Sequence, residues 1–177
     1  MTPPVLHTAR LTLMPASPAH AEAFNAFCAT EGSRFNGGPA ERRDAWQGAA
    51  IGAGLWAVRD YGPFGVTAAD EPVGRVGVYY PDWRAEPELA RVNFPAHQGQ
   101  GFAAEAALAA RDSAQRELGL GALRSLIDAK IAPSIREAEK PGAVQRGPHD
   151  PNSRKPIMCW RHPGAESGQA PTYGVAP

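Results

Sequence analysis

A chain of 177 residues and 18.7 kDa can bury one substantial core but is short for two, so the sequence predicts a single domain over residues 1–163. With 43% hydrophobic and 20% charged residues, its composition is that of an ordinary soluble protein. The formal net charge is zero and the basic residues are scattered, which excludes the charge pattern of a nucleic-acid or acidic-membrane binder.

The amino-terminal segment carries no sign of a targeting sequence. It has neither a basic start nor an apolar run, and no stretch of the chain approaches the roughly 20 apolar residues that span a bilayer. We therefore expect a cytoplasmic protein. Cys28 and Cys159 fall on a predicted helix and a predicted strand, without the spacing of a metal site, so we expect free thiols and no bound metal.

The first predicted strand covers residues 6–14, where leucines alternate with polar neighbours. Ser17 and Pro18 follow, and they indicate the start of a helix because serine caps free N–H groups and proline fits the first turn. A stretch rich in turn-forming residues, 32–39, interrupts the chain after this helix.

A helical pattern resumes at Ala40 and ends at Gly62, although three glycines weaken it. Two strands, 64–68 and 73–80, are then predicted to form a hairpin, because a short polar turn joins them. Residues 81–87 have the composition of a loop.

The stretch 97–105 organises the rest of the chain. A predicted strand over 88–94 leads into it, and an alanine-rich helix leaves it and runs to about Leu118. Gly119 fits the left-handed residue that commonly ends a helix. The next strand, 123–127, completes one crossover unit of strand, glycine loop, helix and strand.

The carboxyl-terminal part is predicted to contain a short helix over 133–140 and a last strand over 157–161. Between them lies a turn-rich insert, 147–153. Residues 164–177 are rich in glycine, proline and small residues, and we expect them to form a flexible tail.

Two glycines, Gly99 and Gly101, directly precede the alanine-rich helix. Glycine adopts backbone angles that turn successive N–H groups to one side, and a helix start adds unpaired N–H donors and a positive dipole end. The loop is therefore a candidate cradle for a phosphate. A helix that is merely entered through glycines is the alternative.

Residues 99–104 also fit the dinucleotide-binding pattern G-x-G-x-x-[GA], with Asp128 near the place of the ribose-binding acid. That pattern belongs in the first strand-to-helix turn of a doubly wound sheet, whereas more than half of this chain precedes it. A P-loop NTPase is weaker still, because no Gly-Lys-[Ser/Thr] follows the glycines.

The stretch Gln98-Gly99-Gln100-Gly101-Phe102-Ala103 resembles the [Q/R]-x-x-G-x-[G/A] acetyl-CoA signature of the GNAT acyltransferase superfamily. Six further motifs resemble the RimJ/RimL-type branch in the expected order, and the resemblance covers roughly residues 5–162. These motifs are Leu6-x-Thr8-x-Arg10-Leu11-x-Leu13, Glu88-Leu89 ahead of Phe94-Pro95, Ala104-Glu105-Ala106, Leu118-Gly119, Ser125-Leu126-Ile127-Asp128 and Ser134-Ile135-Arg136-x-Ala138-Glu139-Lys140-x-Gly142-Ala143.

The resemblance implies an α/β (α+β) chain with the GNAT acyl-CoA N-acyltransferase fold: a central mixed, mostly antiparallel sheet flanked by helices. The strand over 88–94 would splay from its neighbour to admit the pantetheine arm of acetyl-CoA. The implied reaction is direct transfer of the acetyl group to a primary amine of a protein amino terminus or a small molecule. The implied enzyme is a monomer or homodimer without metal, nucleic-acid or membrane partner.

The resemblance also implies the donor-binding residues. A backbone N–H near Asn93 or Phe94 would polarise the thioester carbonyl. The helix start would offer its N–H groups to the pyrophosphate. The expected cofactor-binding residues are Phe94, Gln98, Gly99, Gln100, Gly101, Phe102 and Ala103.

By position in the family pattern, Glu88 is the candidate base, acting through water, and Ser134 is the candidate acid. Each has an alternative: a solvated strand-end carboxylate in the case of Glu88, and a hydroxyl that satisfies a free N–H of its helix in the case of Ser134. Arg34, Phe35 and Trp56 are candidates for the acceptor cleft, with core packing as the alternative for the two aromatic residues.

Five positions depart from the family pattern. Ile131 stands where asparagine is usual, Pro141 replaces leucine and Glu137 replaces an apolar residue. Pro141 should end the short helix early, and Ile131 lacks the hydrogen bonds of asparagine. Arg91 and Asn93 replace bulky apolar residues on one strand face. If that face lines the cleft, the pocket is polar and favours an acidic acceptor; if it faces the core, the strand is destabilised.

A second hypothesis from another class remains open. A degenerate member of the family would keep the loop over 98–103 and bind acyl-CoA as a sensor or binding partner without turnover. The departures at Ile131 and Pro141 favour it slightly.

Overall fold

The computed structural model describes residues 3–140, 142–149 and 156–164. Within them the strands are β1 (Leu6–His7), β2 (Thr12–Pro15), β3 (Pro63–Ala68), β4 (Glu71–Tyr79), β5 (Glu88–Asn93), β6 (Arg124–Asp128), β7 (Val144–Pro148) and β8 (Ile157–Arg161). The helices are α1 (Pro18–Cys28), α2 (Arg42–Arg59), α3 (Phe102–Arg116) and α4 (Ala132–Glu139), with short 3-10 segments at Glu31–Asn36 and Pro95–His97.

The eight strands of the described residues form one sheet in the order β1-β2-β3-β4-β5-β6-β8-β7. The neighbouring strands are antiparallel, apart from β5 and β6, which are parallel because α3 carries the chain back across the sheet. This mixed, mostly antiparallel sheet with flanking helices confirms the predicted fold class. It also rules out the doubly wound sheet that a dinucleotide-binding protein requires.

The sheet opens between β5 and β6. The ladder between β4 and β5 runs along the whole of β5, whereas β5 meets β6 at the single pair Glu88 and Arg124. The Arg124 N–H donates to Pro87 O at 3.2 Å beside that pair. Beyond it the two strands separate, so the predicted splay of the strand over 88–94 is confirmed.

Small side chains let α3 lie close against the sheet. Ala106, Ala107, Ala110 and Ala114 are each at most 2% exposed and belong to the main apolar core. The helix ends near the predicted place, and Gly119 has the expected left-handed backbone with φ of 59°. The position of α3 brings its amino terminus to the open end of the sheet.

The start of α1 also follows its prediction. The Ser17 side chain accepts the His20 backbone N–H, and the His20 ring bonds back to the Ser17 N–H. Two smaller apolar clusters complete the core. One, around Phe27 and Phe94, lies beneath α1, and the other, around Ile127 and Trp160, lies beneath α4.

Two predicted elements differ from the structure. The strand expected over 6–14 is a hairpin of β1 and β2, because the Thr8 hydroxyl accepts the Leu11 N–H at 3.0 Å and turns the chain. The insert expected from Gly147 begins inside β7, an edge strand that pairs with β8. Residues 150–153 of that insert and residues 165–177 of the expected tail lie outside the described residues.

Both cysteines are in the state that the sequence predicts. Cys28 is buried, Cys159 is half-buried, and both are free thiols. In the described parts of the chain, no helix combines the length and apolar character needed to cross a membrane.

Candidate active site

A cleft of about 910 Å³ occupies the opening between β5 and β6. Its walls are the two diverging strands, α4 and the 3-10 segment Glu31–Asn36, and Gln98, Gly99 and Gly101 lie along it. The cleft therefore joins the predicted phosphate cradle to the predicted catalytic residues.

The glycine loop has the geometry of an anion cradle. Gly99 and Gly101 have φ of 79° and 81°, in the left-handed region that favours glycine. A Cβ atom at Gly99 would meet nothing within 4 Å, so the backbone borders open space. Gly101 is the N-cap of α3 and supplies no side-chain cap, which leaves the first-turn N–H groups available to a ligand.

The other loop residues have different surroundings. The Gln98 side chain donates to Asn93 O at 3.3 Å and is exposed. The Gln100 carbonyl accepts from Arg10 at 2.9 Å. Phe102 and Ala103 bury their side chains, so only their backbone groups can face a ligand in the cleft.

An arginine from the first hairpin braces the loop. Arg10 Nε donates to Glu105 Oε2 at 2.8 Å, and its guanidinium carbon lies 4.8 Å from the centre of the Phe102 ring. The Glu105 carboxylate also accepts from the Thr8 hydroxyl at 2.6 Å, and these bonds hold its pKa below the usual range although burial opposes them. Sequence reasoning missed this contact because its partners lie 95 residues apart.

Glu88 lies at the point where the strands part. The backbone N–H of Leu126, which the missing ladder would otherwise use, lies on the side of its carboxylate and favours the charged form. Burial raises the pKa of Glu88, while the charges of Arg84 and Arg124 partly oppose that effect. A carboxylate with a raised pKa in a cleft suits a general base.

Ser134 is half-buried and lines the cleft in the first turn of α4. The N-cap of α4 is Ile131, which makes no side-chain cap and packs against the third apolar cluster. The helix ends at Glu139, as an early end predicts, although Pro141 lies outside the described residues.

Arg91 and Asn93 both line the cleft, so this strand face borders the cleft. Asn93 Nδ2 donates to His97 O at 3.0 Å and secures the turn into the glycine loop. Arg91 reaches across the opening, where its guanidinium donates to Ser125 Oγ at 3.0 Å and to Ser134 O at 2.7 Å.

The structure does not support Phe94 as a donor-binding residue. Its ring is 8% exposed and packs 5.8 Å from the Phe27 ring, and its N–H donates to Val73 O at 2.9 Å. Because N–H groups alternate in direction along a strand, the Asn93 N–H points toward β6 instead. Asn93 is therefore the better candidate for the backbone donor.

The three acceptor candidates separate in space. Arg34 and Phe35 lie at the cleft and stack on each other, with the guanidinium carbon 4.6 Å from the ring centre. Trp56 lies outside the cleft, because its ring is 5% exposed in the main core and its Nε1 donates to Pro63 O at 3.0 Å. Trp56 is therefore a core residue, which is the alternative given for it above.

Across the described residues no group of three or more His, Cys, Asp or Glu side chains is placed to hold a metal ion.

Comparison with protein families decides the membership of the chain. The model of the acetyltransferase (GNAT) domain matches residues 10–144, which span β2 to the start of β7 and include the whole glycine loop. The chain belongs to the GNAT acetyltransferase family. Comparison with curated proteins finds no match.

Solved structures agree with this GNAT assignment. An acetyltransferase from Agrobacterium tumefaciens str. C58 is 30% identical, with a TM-score of 0.84 over 92% of this chain and 95% of its own. A GNAT-family acetyltransferase from Bacillus anthracis is 18% identical, with a TM-score of 0.72 over 90% and 96%.

A third GNAT structure contains coenzyme A. It is RimL, the ribosomal L7/L12 alpha-N-protein acetyltransferase, at 12% identity and a TM-score of 0.74, covering 90% of this chain and 97% of its own. At this identity the likeness shows the fold alone. The GNAT family uses acetyl-CoA, and the loop and cleft described above are features that fit such a donor.

Proposed function

We propose that this chain is an acetyl-CoA-dependent N-acetyltransferase of the RimJ/RimL-type branch. It transfers the acetyl group directly to a primary amine, carried by a protein amino terminus or a small molecule. The observation that carries the proposal is the opening between β5 and β6 beside the uncapped amino terminus of α3 at Gly101. An extended donor with a phosphate-bearing end matches this arrangement.

The residues of the cleft fit such a donor. Bound acetyl-CoA supplies a thioester that an amine can attack. Gln98, Gly99 and Gly101 border the space for its pyrophosphate, and the left-handed glycines leave no side chain in the way. Lys130 and Arg136, which also line the cleft, add positive charge on the side of α4.

Each catalytic candidate serves one step of the acetyl transfer. Glu88 takes the proton of the acceptor ammonium through water, and a raised pKa makes its carboxylate a stronger base for this role. The Asn93 N–H polarises the carbonyl as negative charge develops there. The Ser134 hydroxyl supplies a proton to the departing sulfur.

The donor site is tested by thermal unfolding of the full chain with acetyl-CoA, with NAD as the control. At about 100 times the dissociation constant, a ligand that binds only the folded state adds roughly 2.7 kcal/mol, or about 5 to 10 °C for a chain of this size. A shift with acetyl-CoA alone supports the proposal. A shift with neither ligand contradicts it.

The loop itself is tested by Gly101→Val. Valine disfavours φ of 81°, so the loop should lose its shape and the shift with acetyl-CoA should disappear. Gly121→Val is the matched control, because Gly121 is exposed and has open space around it. An unchanged shift in Gly101→Val would place the donor elsewhere.

A second function is favoured by one observation. Arg91 spans the cleft, and a side chain in that position can hinder turnover while the loop still binds a donor. The alternative is therefore an acyl-CoA-binding protein without catalysis. Release of the free CoA thiol in the presence of a panel of amines distinguishes the two, since only an enzyme produces the thiol repeatedly.

A further inference from the structure

Arg91 carries a positive charge into the cleft. Only 7% of its side chain is exposed, and its hydrogen bonds to Ser125 Oγ and Ser134 O anchor it on β6 and α4. A family member normally has a bulky apolar residue here, so the charge is a property of this chain. Burial also lowers the pKa of the guanidinium.

Two carboxylates, those of Glu137 and Glu88, lie near enough to attract the charge of Arg91, but among the described residues neither forms a hydrogen bond with its guanidinium. Glu137 Oε2 lies 3.8 Å from Nε, beyond hydrogen-bonding distance, and Nε has no hydrogen-bond partner in the described part of the chain. A buried guanidinium is costly unless its donors and its charge are satisfied. A carboxylate that enters the cleft beside Arg91 would add a partner for its charge.

The position of Arg91 assigns that carboxylate to the donor side. Successive residues of a strand point to opposite faces, and Val92 packs against the cluster beneath α1. Arg91 therefore faces the side of α4, where it bonds to the carbonyl of Ser134, the residue whose hydroxyl the proposed function places beside the departing sulfur.

We propose that Arg91 makes the cleft selective for an acyl-CoA whose acyl group ends in a carboxylate, such as succinyl-CoA, over acetyl-CoA. This inference rests on the acyl-CoA site of the proposed function and changes the preferred donor from acetyl-CoA to an acyl-CoA with a terminal carboxylate. The transfer keeps the same balance: the acyl carbon to sulfur bond breaks, an amide bond forms, and the amine loses a proton as CoA leaves as the thiol. The second carboxylate is not consumed.

The test measures binding by titration calorimetry on the full chain with CoA, acetyl-CoA and succinyl-CoA. A charge-assisted hydrogen bond in a buried site predicts that the native chain binds succinyl-CoA about 10-fold or more tightly than acetyl-CoA. Arg91→Met, which restores an apolar side chain of similar length, should bring this ratio to about one.

Glu137→Gln is the opposing variant. It removes a carboxylate that competes for Arg91 and repels an anionic acyl group, so it should tighten succinyl-CoA severalfold and leave acetyl-CoA unchanged. Circular dichroism and thermal unfolding without ligand check that each variant folds. If Arg91→Met does not fold, Arg91→Lys replaces it and should keep only part of the preference.

The outcomes separate this inference from the function it rests on. Equal affinities for the two acyl donors in the native chain, or a preference that survives in Arg91→Met, overturn the inference while CoA binding leaves the donor site intact. Failure of every CoA compound to bind overturns both.

Discussion

Glu88 lies at the narrow end of the cleft, and its surroundings there shift its pKa in opposite directions. Burial favours its neutral form, while neighbouring arginines and the Leu126 N–H favour the carboxylate, and the net effect is a raised pKa. A native state that holds this proton more tightly than the unfolded chain is stabilised at low pH. That stability is lost as the pH rises through the folded pKa.

Glu88→Gln should lower kcat/KM by about 10² to 10⁴-fold and abolish the loss of activity toward acidic pH, because amide cannot accept the ammonium proton. Stability at neutral pH should be unchanged or higher, since a buried charge is removed. The measurements are pH profiles of kcat/KM and melting temperatures. Glu71→Gln, at an exposed end of β4, is the control. An acidic limb that persists in Glu88→Gln would assign the base to another group.

At the residue scale, local spacing is sufficient to predict the glycine loop and the start of β5. Gly99, Gly101 and Glu88 could be placed because each lies at the boundary of a predicted element. The contact of Arg10 with the loop and the contact of Arg91 with Ser134 could not be predicted. Both join residues that are far apart in the sequence. The sequence leaves Trp56 open between the cleft and the core, because an aromatic residue near a helix end carries no signal of which face is buried.

Helix α2 shows how one glycine can be necessary and another dispensable. Gly48 O accepts from Arg75, whose guanidinium carbon lies 4.8 Å from the centre of the Phe24 ring. A Cβ atom at Gly52 would overlap this guanidinium and come within 2.9 Å of Pro63 Cγ. At Gly54 a Cβ atom would meet nothing within 4 Å.

Gly52→Ala should therefore destabilise the chain by about 1–3 kcal/mol, because the packed guanidinium and proline must move. Gly54→Ala should stabilise it by roughly 0.5–1 kcal/mol, because alanine loses less backbone entropy in a helix. Denaturant unfolding of this matched pair gives both values. Equal effects of the two substitutions on the free energy of unfolding would show that the packing of Arg75 does not require glycine at position 52.

At the element scale, strands with one buried face were easier to predict than strands at the edge. β3, β4 and β5 have apolar patterns that their sequences display, whereas β7 is exposed at four of its five residues and owes its existence to pairing with β8. The sequence predicts a single strand at the first hairpin, because the turn is made by one threonine side chain and contains neither glycine nor proline.

At the scale of the whole molecule, a buried histidine directly after β8 connects that strand to both sides of the cleft. His162 Nε2 lies 2.9 Å from Ser125 Oγ, and that hydroxyl donates to Leu89 O at 2.8 Å. The imidazole must therefore donate from Nε2. Burial, with the charges of Arg91 and Arg111, lowers the pKa of His162 to about 4.

The unfolded chain takes up this proton more readily than the folded one, so stability should fall as the pH drops from about 6.5 toward 4. The loss from this group is on the order of 3 kcal/mol. His162→Gln keeps a neutral donor and should flatten this part of the stability profile, as measured by denaturant unfolding at several pH values. His7→Gln in an exposed strand should leave it unchanged. A profile that is equally steep in His162→Gln would assign the proton uptake to other groups.

The single residue pair between β5 and β6 divides the sheet into two blocks of unequal size. β6, β8, β7 and α4 have their own apolar cluster, and few backbone bonds join them to the larger block. The smaller block can therefore detach locally at a lower free-energy cost than unfolding of the whole chain. A ligand lying along this seam acts as a substitute strand, and by joining the two blocks it converts two cooperative units into one.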